Sequence, residues 1–224
     1  MEVLYARPTI REKTMGSFLF FRHPLFTEQA PNSGSKFIQT AAIYGILALG
    51  FIFPLSIMAD PKELISIHEW IENEHPNVEH IDGDLLSRSI EESSAADRDK
   101  DIVLFDVRKP SEYQVSHLQD AIWVDPDISA KDFHATYADQ LANKTVVFYC
   151  SVGRRSSLLA EKVQDSLIAA GSKKVLNLEQ GIFGWHNESR QLMRGDNKTD
   201  FVHPYSWRWD DLIARQDLIR YDPQ

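Results

Sequence analysis

The run from Val146 to Ser157 constrains the chain more than any other stretch. Val146 to Tyr149 is a short β-branched and aromatic run, which predicts a buried strand. Ser156 to Ala169 predicts a helix with Leu158, Leu159, Val163, Leu167 and Ile168 on one stripe. Between strand and helix stands Cys150, the single cysteine of the protein. A thiol at a strand's C-terminal end that faces a helix N-terminus meets loop N–H groups and the positive end of the helix dipole. Such surroundings favour the nucleophilic thiolate. Gly153 supplies backbone freedom to the loop, and Arg154 and Arg155 add positive charge. A cysteine closing an apolar strand is often just a small buried hydrophobe. The glycine and two arginines that follow within five residues argue instead for an anion cradle around a reactive sulfur.

The net charge of −9 argues against a nucleic-acid-binding face. No zinc-ligand cluster is visible, and neither a metal nor an organic cofactor is expected. One cysteine excludes an intrachain disulfide and leaves Cys150 without a resolving partner in the chain. A sulfur or oxidised species formed on it must therefore pass to another molecule.

Residues 1–36 read as a poorly structured leader broken by Pro8, Pro24 and Pro31. Residues 37–59 form a run of 23 without a charge, long enough to span a bilayer with some tilt. The run reads as a retained membrane anchor, with a signal segment cleaved after Ala59 as the alternative. Basic residues dominate the leader, while Asp60, Glu63, Glu69, Glu72 and Glu74 follow the run. Positive-inside then predicts a single-pass topology with the globular part outside the cytoplasm, in a bacterium the periplasm. The alternative is secretion to the periplasm after cleavage. Residues 60–77 read as a linker with an amphipathic helix from Pro61 to Glu74, whose contacts are expected from Ile65, His68, Trp70 and Ile71.

From Val78 on, strands alternate with helices. Val78 to Ile81, Ile102 to Phe105, Ala121 to Val124, Thr145 to Tyr149 and Lys174 to Leu178 read as strands. Asp82 caps a helix carrying Leu85, Leu86 and Ile90, Pro110 opens a short helix, and Ser129 to Leu141 forms another. Gly171 closes the helix after the cysteine loop, and Gly181 and Gly184 bracket a turn. This order predicts an α/β fold with a mostly parallel five-stranded sheet flanked by helices, occupying residues 78–190. The tail, 191–224, carries His203, Tyr205, Trp207 and Trp209 and is expected to pack back onto the domain.

Three stretches together resemble the rhodanese family. Asp106-Val107-Arg108, Glu112-Tyr113 and Ser116 to Ala121 are similar to its Asp-Val-Arg, Glu-Tyr and Gly-His-Ile-x-Gly-Ala signature. Tyr149 to Ser157 resembles its active-site loop, and Asn177 to Trp185 its closing motif. Ser116, Asp120 and Gln180 depart from the pattern at positions where the family often has glycine. The resemblance implies sulfurtransfer through a persulfide on Cys150, from a small anionic donor such as thiosulfate to a thiol or cyanide. It implies stabilisation of that persulfide by N–H groups from Ser151, Val152, Gly153, Arg154 and Arg155. Arg155 resembles the family's loop arginine, suited to bidentate oxyanion binding, while Arg154 would steer anions from the solvent side. Asp106 and Arg108 are expected to brace the loop rather than react.

Two other classes compete. Phosphatases and arsenate reductases on the same fold use one more residue between cysteine and arginine than the four found between Cys150 and Arg155. A non-catalytic, membrane-tethered binding module would keep the fold without using the thiol.

Overall fold

The computed structural model describes residues 61–95 and 101–223. The expected leader and the charge-free run 37–59 lie outside the described residues. Among the described residues no helix is long and apolar enough to cross a membrane.

Five strands form one sheet: β1 (Glu79–Ile81), β2 (Ile102–Asp106), β3 (Ile122–Trp123), β4 (Thr145–Tyr149) and β5 (Lys174–Leu178), in the order β1-β5-β4-β2-β3. Every neighbouring pair is parallel. β4 is central, and its Val146, Val147, Phe148 and Tyr149 are all buried. That is why it reads as a continuous apolar run rather than an alternating one. Each such side chain contributes on the order of 1.5–3 kcal/mol on burial.

Two cores flank the sheet. One side packs Phe105, Phe133 and Phe148 against Leu159, Val163 and Leu167. It is covered by α4 (Ala130–Tyr137) and α5 (Arg154–Ala169). The other packs Ile71, Leu86, Leu176, Ile182 and Phe183 together with Val202, Leu212 and Ile213. Its cover comes from α1 (Pro61–Glu74), α2 (Gly83–Ala95), α6 (Gly181–Asn187) and the C-terminal segment. The remaining helix is α3 (Pro110–Val115), opened by its proline. The Asp82 side chain caps α2, accepting from the Leu85 N–H at 2.8 Å.

The structure corrects several boundaries and faces. α1 buries Leu64, His68 and Ile71, the i, i+4, i+7 stripe, while Ile65 and Trp70 face solvent. α5 begins at Arg154, not Ser156, with Gly153 as its N-cap, so both arginines belong to the first turn. Its buried face runs through Ser156, Ala160, Val163 and Leu167, leaving Ile168 exposed. The helix expected from Ser129 to Leu141 is α4 followed by a 3-10 turn, Ala138–Gln140. β3 is only two residues long because it lies at the sheet edge, although the Val124 N–H still bonds Asp106. Gly181 and Gly184 lie inside α6 rather than bracketing a turn.

The tail holds a hairpin, β6 (Leu192–Arg194) and β7 (Asn197–Thr199), that the strand reading missed. Met193 exchanges main-chain hydrogen bonds with His117, each 2.8 Å, fixing the hairpin to the segment after α3. The rest of the tail contributes Val202, Leu212 and Ile213 to the second core. The Asn187 side chain holds Leu212 and Ala214, and Val202 bonds Leu218 and Arg220.

Candidate active site

The carboxyl ends of β2, β4 and β5 carry, in turn, Asp106-Val107-Arg108, the cysteine loop and Glu179-Gln180-Gly181. In an open parallel sheet this edge is where ligands bind. Cys150 follows Tyr149, the last residue of β4, and is buried. The Gly153 N–H donates to its Sγ at 3.2 Å. Gly153 adopts φ +104°, and a Cβ there would lie 3.1 Å from the Asn177 amide nitrogen. Conformation and space both call for glycine.

The loop's N–H groups turn inward because its carbonyls are tied down on the other side. Cys150 O accepts from the Ile182 N–H at 2.8 Å and Ser151 O from the Phe183 N–H at 3.0 Å. The orphan donors of one helix, α6, thus satisfy the acceptors of the loop that opens another, α5. Gly181 permits this contact. It has φ +56°, and a Cβ would stand 2.7 Å from Ser151 O and closer still to Cys150 O.

Burial pushes the Cys150 thiol up, but the Arg155 charge, the Ser156 hydroxyl and N–H and the Val152 N–H outweigh it. The net effect holds the thiol below its ordinary range. The Ser156 hydroxyl has one proton, which goes to the Gly153 carbonyl, 3.0 Å away, or to the sulfur when it is ionised.

Arg155 differs from the expectation that it presents an open fork to an oxyanion. Its Nη1 and Nη2 each donate to the Glu112 carboxylate at 2.9 Å, and Nη2 also donates to Ser151 Oγ at 2.9 Å. Glu112 is buried and further accepts from Ser151 Oγ at 3.0 Å and the Lys109 N–H at 3.0 Å. Burial raises its pKa, yet hydrogen bonding to Arg155 and the charges of Arg155 and Arg108 bring it down to about 2. Arg155 is therefore a fixed charge beside the sulfur, held by a carboxylate. Ser151's side chain belongs to that network, and Val152 packs into the core, so only the main chain of these two faces the sulfur's chemistry.

Arg154 is half-buried, with its guanidinium 5.4 Å from the centre of the Trp70 ring. Asp106 and Arg108 form a fully buried pair, Nη2 to Oδ2 at 2.6 Å, and Arg108 also bonds the Ser116 carbonyl. The pair links the end of β2 to the segment that carries His117. His117 stacks on Tyr113 with ring centres 4.1 Å apart, and burial lowers its pKa. It packs against α3.

Glu112, Ser156 and Tyr205 were not picked out as site residues from sequence. Glu112 carried a local signal, since it follows Lys109 by three in a capping box at the start of α3. Ser156 lies on the face of α5 that the inward loop selects. Tyr205 had no local signal. It reaches the site from the tail, its ring centre 4.9 Å from the Arg155 guanidinium. Among the described residues no group of three or more His, Cys, Asp or Glu side chains could hold a metal ion.

Residues 89–188 match the family model of the rhodanese-like domain. Over that span the chain is similar to a rhodanese-like domain. The matched span contains the cysteine loop, Glu112 and α6, and leaves α1 and the C-terminal segment outside it. The tRNA uridine(34) hydroxylase of Pectobacterium atrosepticum is 30% identical over 94 residues, 41% of this chain and 25% of that protein. The chain thus spans about a quarter of the length of the curated relative it matches. Among solved structures, thiosulfate sulfurtransferase of Pseudomonas aeruginosa is 20% identical with a TM-score of 0.42, over 62% of this chain and 24% of that one. A possible tyrosine phosphatase of Rhodopseudomonas palustris is 20% identical with a TM-score of 0.40, over 60% and 94%. A Bacillus halodurans protein is 19% identical with a TM-score of 0.41, over 60% and 86%. The fold is rhodanese-like α/β with a five-stranded parallel sheet, as the element order predicted.

Proposed function

We propose that the chain is a sulfurtransferase that carries sulfane sulfur on Cys150. The observation that carries this reading is the surroundings of Sγ: an inward N–H at 3.2 Å, a helix start, and a fixed guanidinium that together favour the thiolate. In the first step the Cys150 thiolate attacks the outer sulfur of thiosulfate. A new S–S bond forms, the old one breaks, and sulfite leaves with its electron pair. The persulfide's terminal charge is stabilised by the N–H groups of the loop and by Arg155. In the second step a thiolate or cyanide attacks that terminal sulfur and Cys150 leaves as the thiolate. Only four residues separate Cys150 from Arg155, which supports a small sulfur species over a phosphoryl group.

Because Arg155 is held by Glu112, its part in this scheme is electrostatic, and the donor's oxyanion is drawn by the exposed Lys109 and the half-buried Arg154. The physiological partners are then a small anionic donor and a thiol acceptor. In the same reading residues 37–59 tether the domain to a membrane, with the domain on the periplasmic face. Alkaline extraction of membranes, followed by intact mass of the extracted chain, tests tether against cleaved signal.

The direct test incubates the whole 224-residue chain with thiosulfate and weighs it intact, with Cys150→Ser beside it. Gain of one sulfur atom, removed by cyanide or a thiol and absent in the variant, is the expected result. A folded, reduced chain that takes up no sulfur from thiosulfate or other sulfane donors would overturn the proposal.

A further inference from the structure

We infer that Tyr205 is a specificity-determining residue that limits the size of the species able to reach Cys150. The inference rests on the thiol being the reacting group, as in the proposal above, but not on what reacts with it.

Tyr205 lies outside the family's matched span, 89–188, so the tail adds it to a site the matched domain already contains. Its ring caps the guanidinium of Arg155, centre to Cζ 4.9 Å, and Lys109 Nζ lies 5.9 Å from the same ring centre. Arg155 is the charge that faces Cys150, and only 16% of its side chain is left exposed. The sulfur itself is buried. An approach to the thiol over Arg155 therefore meets the Tyr205 ring.

The ring is also held in place. Tyr205 adopts φ +68°, a left-handed conformation that bulky residues avoid and that persists only when surrounding structure enforces it. Neighbouring contacts enforce it. The Tyr205 N–H donates to His203 Nδ1 at 2.9 Å. The ring meets Trp209 edge-on at 5.8 Å, and Trp209 meets Phe183 edge-on at 6.5 Å. Phe183 is the residue of α6 whose N–H fixes Ser151 O. The ring over Arg155 and the cysteine loop beneath it are thus referenced to one helix. A slim species, such as a sulfane anion or an extended thiol, passes beside a ring fixed in this way, and a broad one does not.

The test is size-selective alkylation of the native whole chain, followed by intact mass. Iodoacetamide reports the reactivity of the thiol, and a polyethylene-glycol maleimide reports room. The expected result is that Tyr205→Ala raises the rate with the bulky reagent relative to iodoacetamide by about tenfold or more, while Tyr205→Phe matches the parent. General loosening of the fold would also favour the bulky reagent, so amide hydrogen exchange of the cysteine loop is measured beside it, and the inference requires the ratio to rise with that exchange unchanged. An unchanged ratio in Tyr205→Ala, or the same gain in Tyr205→Phe, would overturn the inference. The readout needs no sulfur donor, so it stands or falls separately from sulfurtransfer.

Discussion

Glu112 clasps Arg155 with both carboxylate oxygens, Oε2 on Nη1 and Oε1 on Nη2, each at 2.9 Å, in the first turn of α5 and five residues beyond Cys150. The pair sets the charge beside Cys150, and it makes Glu112→Gln act in two directions. Loss of the carboxylate leaves a largely buried guanidinium without its counter-ion, which costs about 3 kcal/mol or more of stability. The same uncompensated charge favours the thiolate more strongly. Denaturant midpoints are expected to fall, while the pH profile of Cys150 alkylation moves to lower pH.

Arg155→Met removes the largest influence that lowers the thiol's pKa. Burial, which opposes it, remains. The alkylation profile then moves to higher pH, opposite to Glu112→Gln. If both variants move it in the same direction, Arg155 is not the charge that sets the thiolate.

Gly181→Ala tests the contact between α6 and the loop. The added Cβ meets the Ser151 and Cys150 carbonyls in a φ +56° conformation. A cost of about 1–3 kcal/mol is expected from the backbone alone. Displacement of the two carbonyls also turns the Gly153 N–H away from Sγ. Stability and thiol reactivity should fall together, whereas Gly195→Ala, at a similar φ with open space, should lower stability alone.

Acid unfolding should proceed in two windows. Burial lowers the pKa of both His80 and His186 to about 4. Each takes up its proton in the unfolded chain near its ordinary value of 6.5 but not in the folded one, so stability falls as pH drops from 6.5 towards 4. Glu112 has the opposite chemistry and a lower window. Its folded pKa of about 2 lies below the ordinary 4.5, so its contribution is complete above 4.5 and is lost as pH falls towards 2. Urea midpoints measured against pH should show the first loss flattened by His186→Asn and the second by Glu112→Gln.

The order of elements was legible because the strands are short apolar runs bounded by turn residues, and because parallel connections need helices between them. Cys150, Gly153 and the two arginines stood out for the same local reason. What the sequence hid depends on distance along the chain. Glu112 lies 43 residues before the arginine it holds, and Tyr205 lies 50 after it. Neither spacing leaves a periodic trace. The face of α1 was misread for a different reason. Ile65 and Trp70 are apolar, but the helix turns Leu64, His68 and Ile71 inward, and a buried histidine is hard to rank against an exposed tryptophan from hydropathy alone.

The bonds from Ile182 and Phe183 to the carbonyls of Cys150 and Ser151 set a schedule for the protein during synthesis. A chain growing from its N-terminus exposes Cys150 more than thirty residues before those donors emerge. Until they do, nothing turns the loop's N–H groups onto the sulfur, and the thiol keeps the sluggish chemistry of an ordinary cysteine. The surroundings that favour the thiolate are thus completed with α6, before Tyr205 of the tail has emerged to cover Arg155.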